Sequence, residues 1–144
     1  MTIRVAHVGA FDRLSQADVD RDISVMGLIA LLDSDFLKDQ DLAPDIINLA
    51  YGRDFLQESK SYDIVILHSI VSTKVRLPST RFPRLRASKD HSLKIWRVRL
   101  GLTGAKYIAI CEGLEATLSG IEMGEILGYT VLKEDGYVTL YRRS

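Results

Sequence analysis

Ile64-Val65-Ile66-Leu67, preceded by Tyr62-Asp63, places four aliphatic side chains in succession with no polar residue between them. In an extended strand successive side chains point to opposite faces, so such a run is buried on both. That belongs to the middle of a mostly parallel sheet with helices above and below it. The rest of the chain supplies matching pieces. Ile3 to Val8 is an apolar run ending at Gly9, Ile46 to Tyr51 is a run stopped by Gly52, and Lys106 to Cys111 is another short strand. Tyr129 to Lys133 and Tyr137 to Tyr141 flank Glu134-Asp135-Gly136, and Asp-Gly between such strands predicts an antiparallel hairpin.

Helical segments separate the strands. Ser15-Gln16-Ala17-Asp18 has the form of a capping box, and Val19, Ile23, Met26 and Ala30 follow at helical spacing, predicting a long helix toward Phe36. Asp39 to Pro44 reads as a loop and Arg53 to Lys60 as a short helix or turn. Thr73 to Ala87, with Pro78 and Pro83, reads as a long loop, with disorder as the rival reading. Leu93, Trp96 and Leu100 share a helical face, and Gly104 follows as the expected C-cap. Thr117 to Leu127 is a last predicted helix, closed by Gly128. The expected fold is therefore a three-layer, Rossmann-like α/β domain spanning residues 1–144, with a mostly parallel sheet and a C-terminal antiparallel hairpin.

Composition narrows the function classes. Hydrophobic residues make up 47% and charged residues 26%, which excludes a disordered or collagen-like chain. No stretch reaches the roughly 20 apolar residues of a membrane span, and the N-terminus enters a strand without a signal-peptide pattern. Cys111 is the only cysteine, which excludes an intramolecular disulfide and a multi-cysteine zinc site. A reducing, cytoplasmic location is the expectation. The formal net charge is zero, yet residues 74–99 carry nine Lys or Arg against Asp90 alone.

From Tyr51 onward, the order of pieces resembles the C-terminal part of a class I, S-adenosylmethionine-dependent methyltransferase. Gly52-Arg53-Asp54 resembles the turn whose acidic residue approaches adenine, and Ser61 to His68 resembles the fourth strand. Arg97 to Ile110 resembles the helix, glycine turn and fifth strand, and Ile126-Leu127-Gly128-Tyr129 with the Asp135-Gly136 hairpin resembles the closing elements. The resemblance implies S-adenosylmethionine as cofactor, with Gly9, Asp12, Gly52 and Asp54 lining its site and His68 as catalytic residue. The first half departs from that pattern. Gly9 stands alone where a glycine-rich loop would let the backbone approach the cofactor, and one β–α unit is missing.

Ligands of open parallel sheets lie at the carboxyl ends of the strands. This gathers Gly9 to Asp12, Gly52 to Asp54, His68-Ser69 and Cys111-Glu112-Gly113 into one expected neighbourhood. His68 reads either as a general base or as a hydrogen-bonded structural histidine, and Asp12 and Asp54 either as ligand contacts or as helix caps. Glu112 is equally ambiguous. Cys111 and His7 read as buried strand residues and His91 as an exposed one. Three histidines so dispersed suggest no metal cluster. Arg76, Arg81, Arg84, Arg86, Lys89, Arg97 and Arg99 form a candidate contact surface for an acidic protein or a phosphate-bearing ligand. Nucleic acid is a further reading, and pairing of these cations with the acidic first half is the structural one. Three functional expectations result: a methyltransferase-like domain that has lost its chemistry and binds a partner, a small active transferase, and a nucleic-acid-binding protein.

Overall fold

The computed structural model describes residues 2–9, 12–48, 60–68, 98–111, 126, 128–135 and 138–144. In chain order these form β1 (Thr2–Gly9), α1 (Gln16–Leu32), α2 (Ser34–Leu37), β2 (Asp41–Asn48), β3 (Ile64–His68), β4 (Tyr107–Cys111), β5 (Tyr129–Asp135) and β6 (Val138–Arg143). Residues 98–102 are also helical. The six strands make one sheet in the order β2-β1-β3-β4-β6-β5. The first four are mutually parallel, whereas β6 runs antiparallel to both β4 and β5. The expected Rossmann-like α/β architecture with its closing hairpin is what the chain forms.

Strand alternation divides the core between the two faces. Ile3, Val5, Ile64, Ile66, Tyr107, Ala109, Cys111 and Leu140 pack with Val25 and Ile29 of α1 and with Phe36 and Leu37 of α2. Ala6, Val8, Val65, Leu67, Ile108, Ile110 and Tyr141 pack on the other face with Tyr62, Leu100 and Ile126. Every residue of β3 and β4 is buried, as their uninterrupted apolar composition requires.

Local signals are realised at several element ends. Ser15 caps α1 by accepting from the Asp18 backbone N–H, and the Asp18 carboxylate accepts in return from the Ser15 backbone N–H. Gly104 has φ 71°, a left-handed conformation favouring glycine, and it ends the helical residues before β4.

Three expectations are corrected. The buried stripe of α1 is Asp22, Val25 and Ile29 rather than the Val19, Ile23, Met26, Ala30 face. Ile23 is 65% exposed and Ala30 is exposed. A stripe chosen for purely apolar content missed the true one because that stripe begins with an aspartate. The helix toward Phe36 breaks at Asp33, whose carboxylate is drawn to the sheet by Lys106 Nζ at 2.6 Å and by the Tyr107 hydroxyl at 2.9 Å. Finally, Asp41 to Pro44 is strand rather than loop: Pro44 sits opposite Val5 in an eight-residue parallel register. As an edge strand, β2 tolerates a residue without a backbone donor. The readings for 49–59, 69–97 and 112–125 lie outside the described residues.

Candidate functional site

In β1, His7 follows Ile3 and Val5 at two-residue spacing, so it projects toward α1. In β3, His68 follows Ile64 and Ile66 onto the same side, and its register partner in β4 is Cys111. Both histidines therefore stand at the carboxyl-terminal ends of neighbouring strands, on the face that α1 covers. Asp18, Asp22, Val25 and Ile29 form one stripe on α1 at spacings of four, three and four. Because α1 starts at the carboxyl edge of the sheet and runs back across it, the acidic turns meet the histidines. The apolar turns meet Ile3, Val5, Ile64 and Ile66. The change of polarity along the helix matches the change along the strands.

The contacts are short. His7 Nδ1 lies 2.9 Å from Asp22 Oδ2, and His68 Nε2 lies 3.0 Å from Asp22 Oδ1. His68 Nδ1 faces Asp18 Oδ1 at 3.6 Å. The two imidazoles are nearly parallel, 19° apart, with centroids 6.1 Å from each other. Side-chain exposure is 8% for His7, 12% for Asp22 and 2% for His68, so the group is largely closed to water. Despite these distances, neither His7 Nδ1 nor either Asp22 oxygen is in hydrogen-bond alignment with a partner among the described residues.

Burial raises the Asp22 carboxyl, but contact with His68 and His7 outweighs it and holds the group below its ordinary value of 3.8. Asp22 is a carboxylate at neutral pH. The Cys111 thiol is pushed up to about 12, first by burial and then by the negative charge of Asp22. It stays protonated, consistent with its reading as a small apolar core residue. Chemically, one ionised carboxylate between two imidazoles can share a proton or hold a cation.

The site lies at a topological switch point. The connection from β1 through α1 leads to β2 on one side, while β3 lies on the other, and crevices at such reversals are where open α/β sheets bind ligands. Of the expected neighbourhood, Gly9, His68 and Cys111 converge here at the ends of β1, β3 and β4. Asp12 is exposed, just before α1. Gly52, Asp54, Ser69, His91, Glu112, Gly113 and the basic residues from Arg76 to Arg97 lie outside the described residues. Arg99 is buried, 6% exposed, and its Nη2 donates to the Lys60 carbonyl at 3.1 Å. It is thereby committed to the protein interior.

Sequence reasoning set His7 aside as a core residue and passed over Asp22. Their signal was present in paired form: a histidine ending an apolar strand, followed by acids at i and i+4 on the helix that returns over it. The dispersion of the histidines along the chain concealed a cluster that the fold assembles.

No protein-family model matches the chain, and no curated protein or solved structure matches it either. No described helix is long and apolar enough to cross a membrane.

Proposed function

We propose that this chain is a methyltransferase-like α/β domain without transfer chemistry of its own, which acts by binding a partner. Its basic segment, residues 74–97, is the contact for an acidic protein surface or a phosphate-bearing group, with Arg99 left out because it is buried. One observation carries the first part. The space between the ends of β1 and β3 and the start of α1, where a Rossmann-like domain receives its cofactor, is occupied by the side chains of His7, Asp22 and His68. The Asp18 backbone N–H is taken by Ser15, and the Asp18 carboxylate stands in the first turn of α1, where an anionic ligand group would otherwise sit. The sheet order, with β6 reversed between β4 and β5, agrees with the hairpin the resemblance implies.

Calorimetric titration of the whole chain with S-adenosylmethionine and S-adenosylhomocysteine tests the loss of chemistry. The expected result is no saturable binding by the folded protein. Saturable binding that Asp12→Ala and Asp54→Ala weaken would instead identify a transferase with a divergent cofactor site. For the partner surface, a polyglutamate peptide and inorganic phosphate serve as probes. Reversing Arg81, Arg84 and Arg86 to Glu is expected to abolish binding of whichever probe the wild type holds. Preference for single-stranded DNA, with a steep loss of affinity on adding salt, would move the assignment to nucleic acid.

A further inference from the structure

His7, Asp22 and His68 bring their donor atoms together at one place, and we infer that they are ligands for a divalent metal ion of the zinc class. The donor set is two imidazole nitrogens and one carboxylate oxygen, a combination that suits zinc and its neighbours rather than calcium or magnesium. The three donor atoms lie within 4.8 Å of one another. Two atoms bound to one zinc ion at about 2.1 Å stand about 3.0 to 3.4 Å apart at octahedral or tetrahedral angles. His7 Nδ1 stands 2.9 Å from Asp22 Oδ2 and His68 Nε2 3.0 Å from Asp22 Oδ1, each distance close to that range but made to a different oxygen of the same carboxylate. The set spans up to 4.8 Å, so binding one ion draws its most distant donors together. The lack of hydrogen-bond alignment at His7 Nδ1 and at both Asp22 oxygens, all buried, fits atoms directed at a shared centre rather than at each other.

The surroundings are those of a metal ligand set. His7 and His68 come from adjacent strands, β1 and β3, which pair directly in the interior of the sheet, so their backbones are held firmly. His68 presents Nε2 to Asp22 while Nδ1 faces Asp18. A histidine ligand commonly donates its second nitrogen to a carboxylate, and Asp18, at 3.6 Å an ion-pair contact rather than a hydrogen bond, is the carboxylate placed on that side of His68. Asp18 is itself held by the Ser15 hydroxyl at 2.6 Å and the Ser15 backbone N–H at 3.1 Å. The helix cap thus positions the residue that positions the ligand. Three protein ligands are one fewer than the four of a closed structural zinc site. The metal site is independent of whether the basic segment binds a partner.

The test is calorimetric titration of the chelator-treated whole chain with Zn²⁺, with the visible absorption of Co²⁺ as a second reading of the coordination. About one ion per chain is expected, as for a three-ligand site, together with the intense Co²⁺ bands of a low-coordinate site. His68→Gln and Asp22→Asn are expected to abolish binding, and Asp18→Asn to weaken it by about 10- to 100-fold. Asp20→Asn, an exposed neighbour on the same helix, should leave it unchanged. Absence of saturable Zn²⁺ binding by the folded wild type would overturn the assignment and leave a proton-sharing cluster. So would undiminished binding in folded His68→Gln and Asp22→Asn. Should both variants fail to fold, the wild-type Co²⁺ spectrum decides: the weak bands of the hydrated ion would refute the site.

Discussion

Asp33 shows how one side chain sets the course of a segment. It ends α1, with its backbone N–H returned to the Ile29 carbonyl, and its carboxylate meets Lys106, just before β4, and Tyr107, its first residue. The Lys106 ammonium above all holds its carboxyl below the ordinary 3.8 against the opposing effect of burial, with the Tyr107 hydroxyl contributing less. A depressed carboxyl contributes stability above its unfolded pKa and loses it as pH falls through the folded one. Asp33→Asn should therefore lower the urea-unfolding free energy at pH 7 by about 1 kcal/mol, a modest value because the Lys106 pair is partly exposed. The gap between variant and wild type should close below about pH 4. A gap that persists at low pH would mean that the carboxylate charge is not its source. Tyr107, pushed up to about 12 by burial and by Asp33, belongs to the same contact. Lys106 and Tyr107 were visible in the sequence. Their meeting with Asp33, 74 residues away from Tyr107, was not.

Among the elements, α1 joins structure to the site. Its capping box was legible because caps are local: Ser15 and Asp18 stand three residues apart and satisfy each other's backbone groups. Ser15→Ala should destabilise the protein by about 1 kcal/mol, within the range of about 0.5–2 for such caps. Ser15→Asn should recover most of the loss, and thermal or urea melts followed by circular dichroism check both. The buried face of the same helix was not legible. Ile23 and Asp22 are neighbours on α1, and sequence hydropathy favours the isoleucine for the interior. The aspartate is the one buried, because two histidines meet it there. A buried carboxylate is costly unless paired, so this arrangement depends on what His7 and His68 supply.

For the molecule as a whole, strand order sets the gradient of stability. β3 has a parallel neighbour on each side and lies between the two apolar layers, whereas β2 and β5 are the sheet edges among the described residues. The edges are guarded in different ways: Pro44 interrupts the donors of β2, and β5 carries a register shift between Val131 and Lys133. Hydrogen exchange followed by mass spectrometry should find the amides of β1, β3 and β4 slowest, close to global unfolding, and those of β2 released earlier through local opening. Equal protection of β2 and β3 would contradict a sheet that ends at β2.

Legible from the sequence were the strand and helix that open the chain, the closing hairpin, the capped start of α1 and the glycine stop at Gly104. Each rests on side chains a few residues apart and on the backbone preferences of the residues concerned. Only the tertiary structure decided that Pro44 lies in a strand, that Arg99 is interior, and that His7, Asp22 and His68 share one site. Those outcomes depend on which strands become neighbours and how α1 is rotated over them. Both follow from burying two apolar faces at once, a condition on the whole chain that no local window contains.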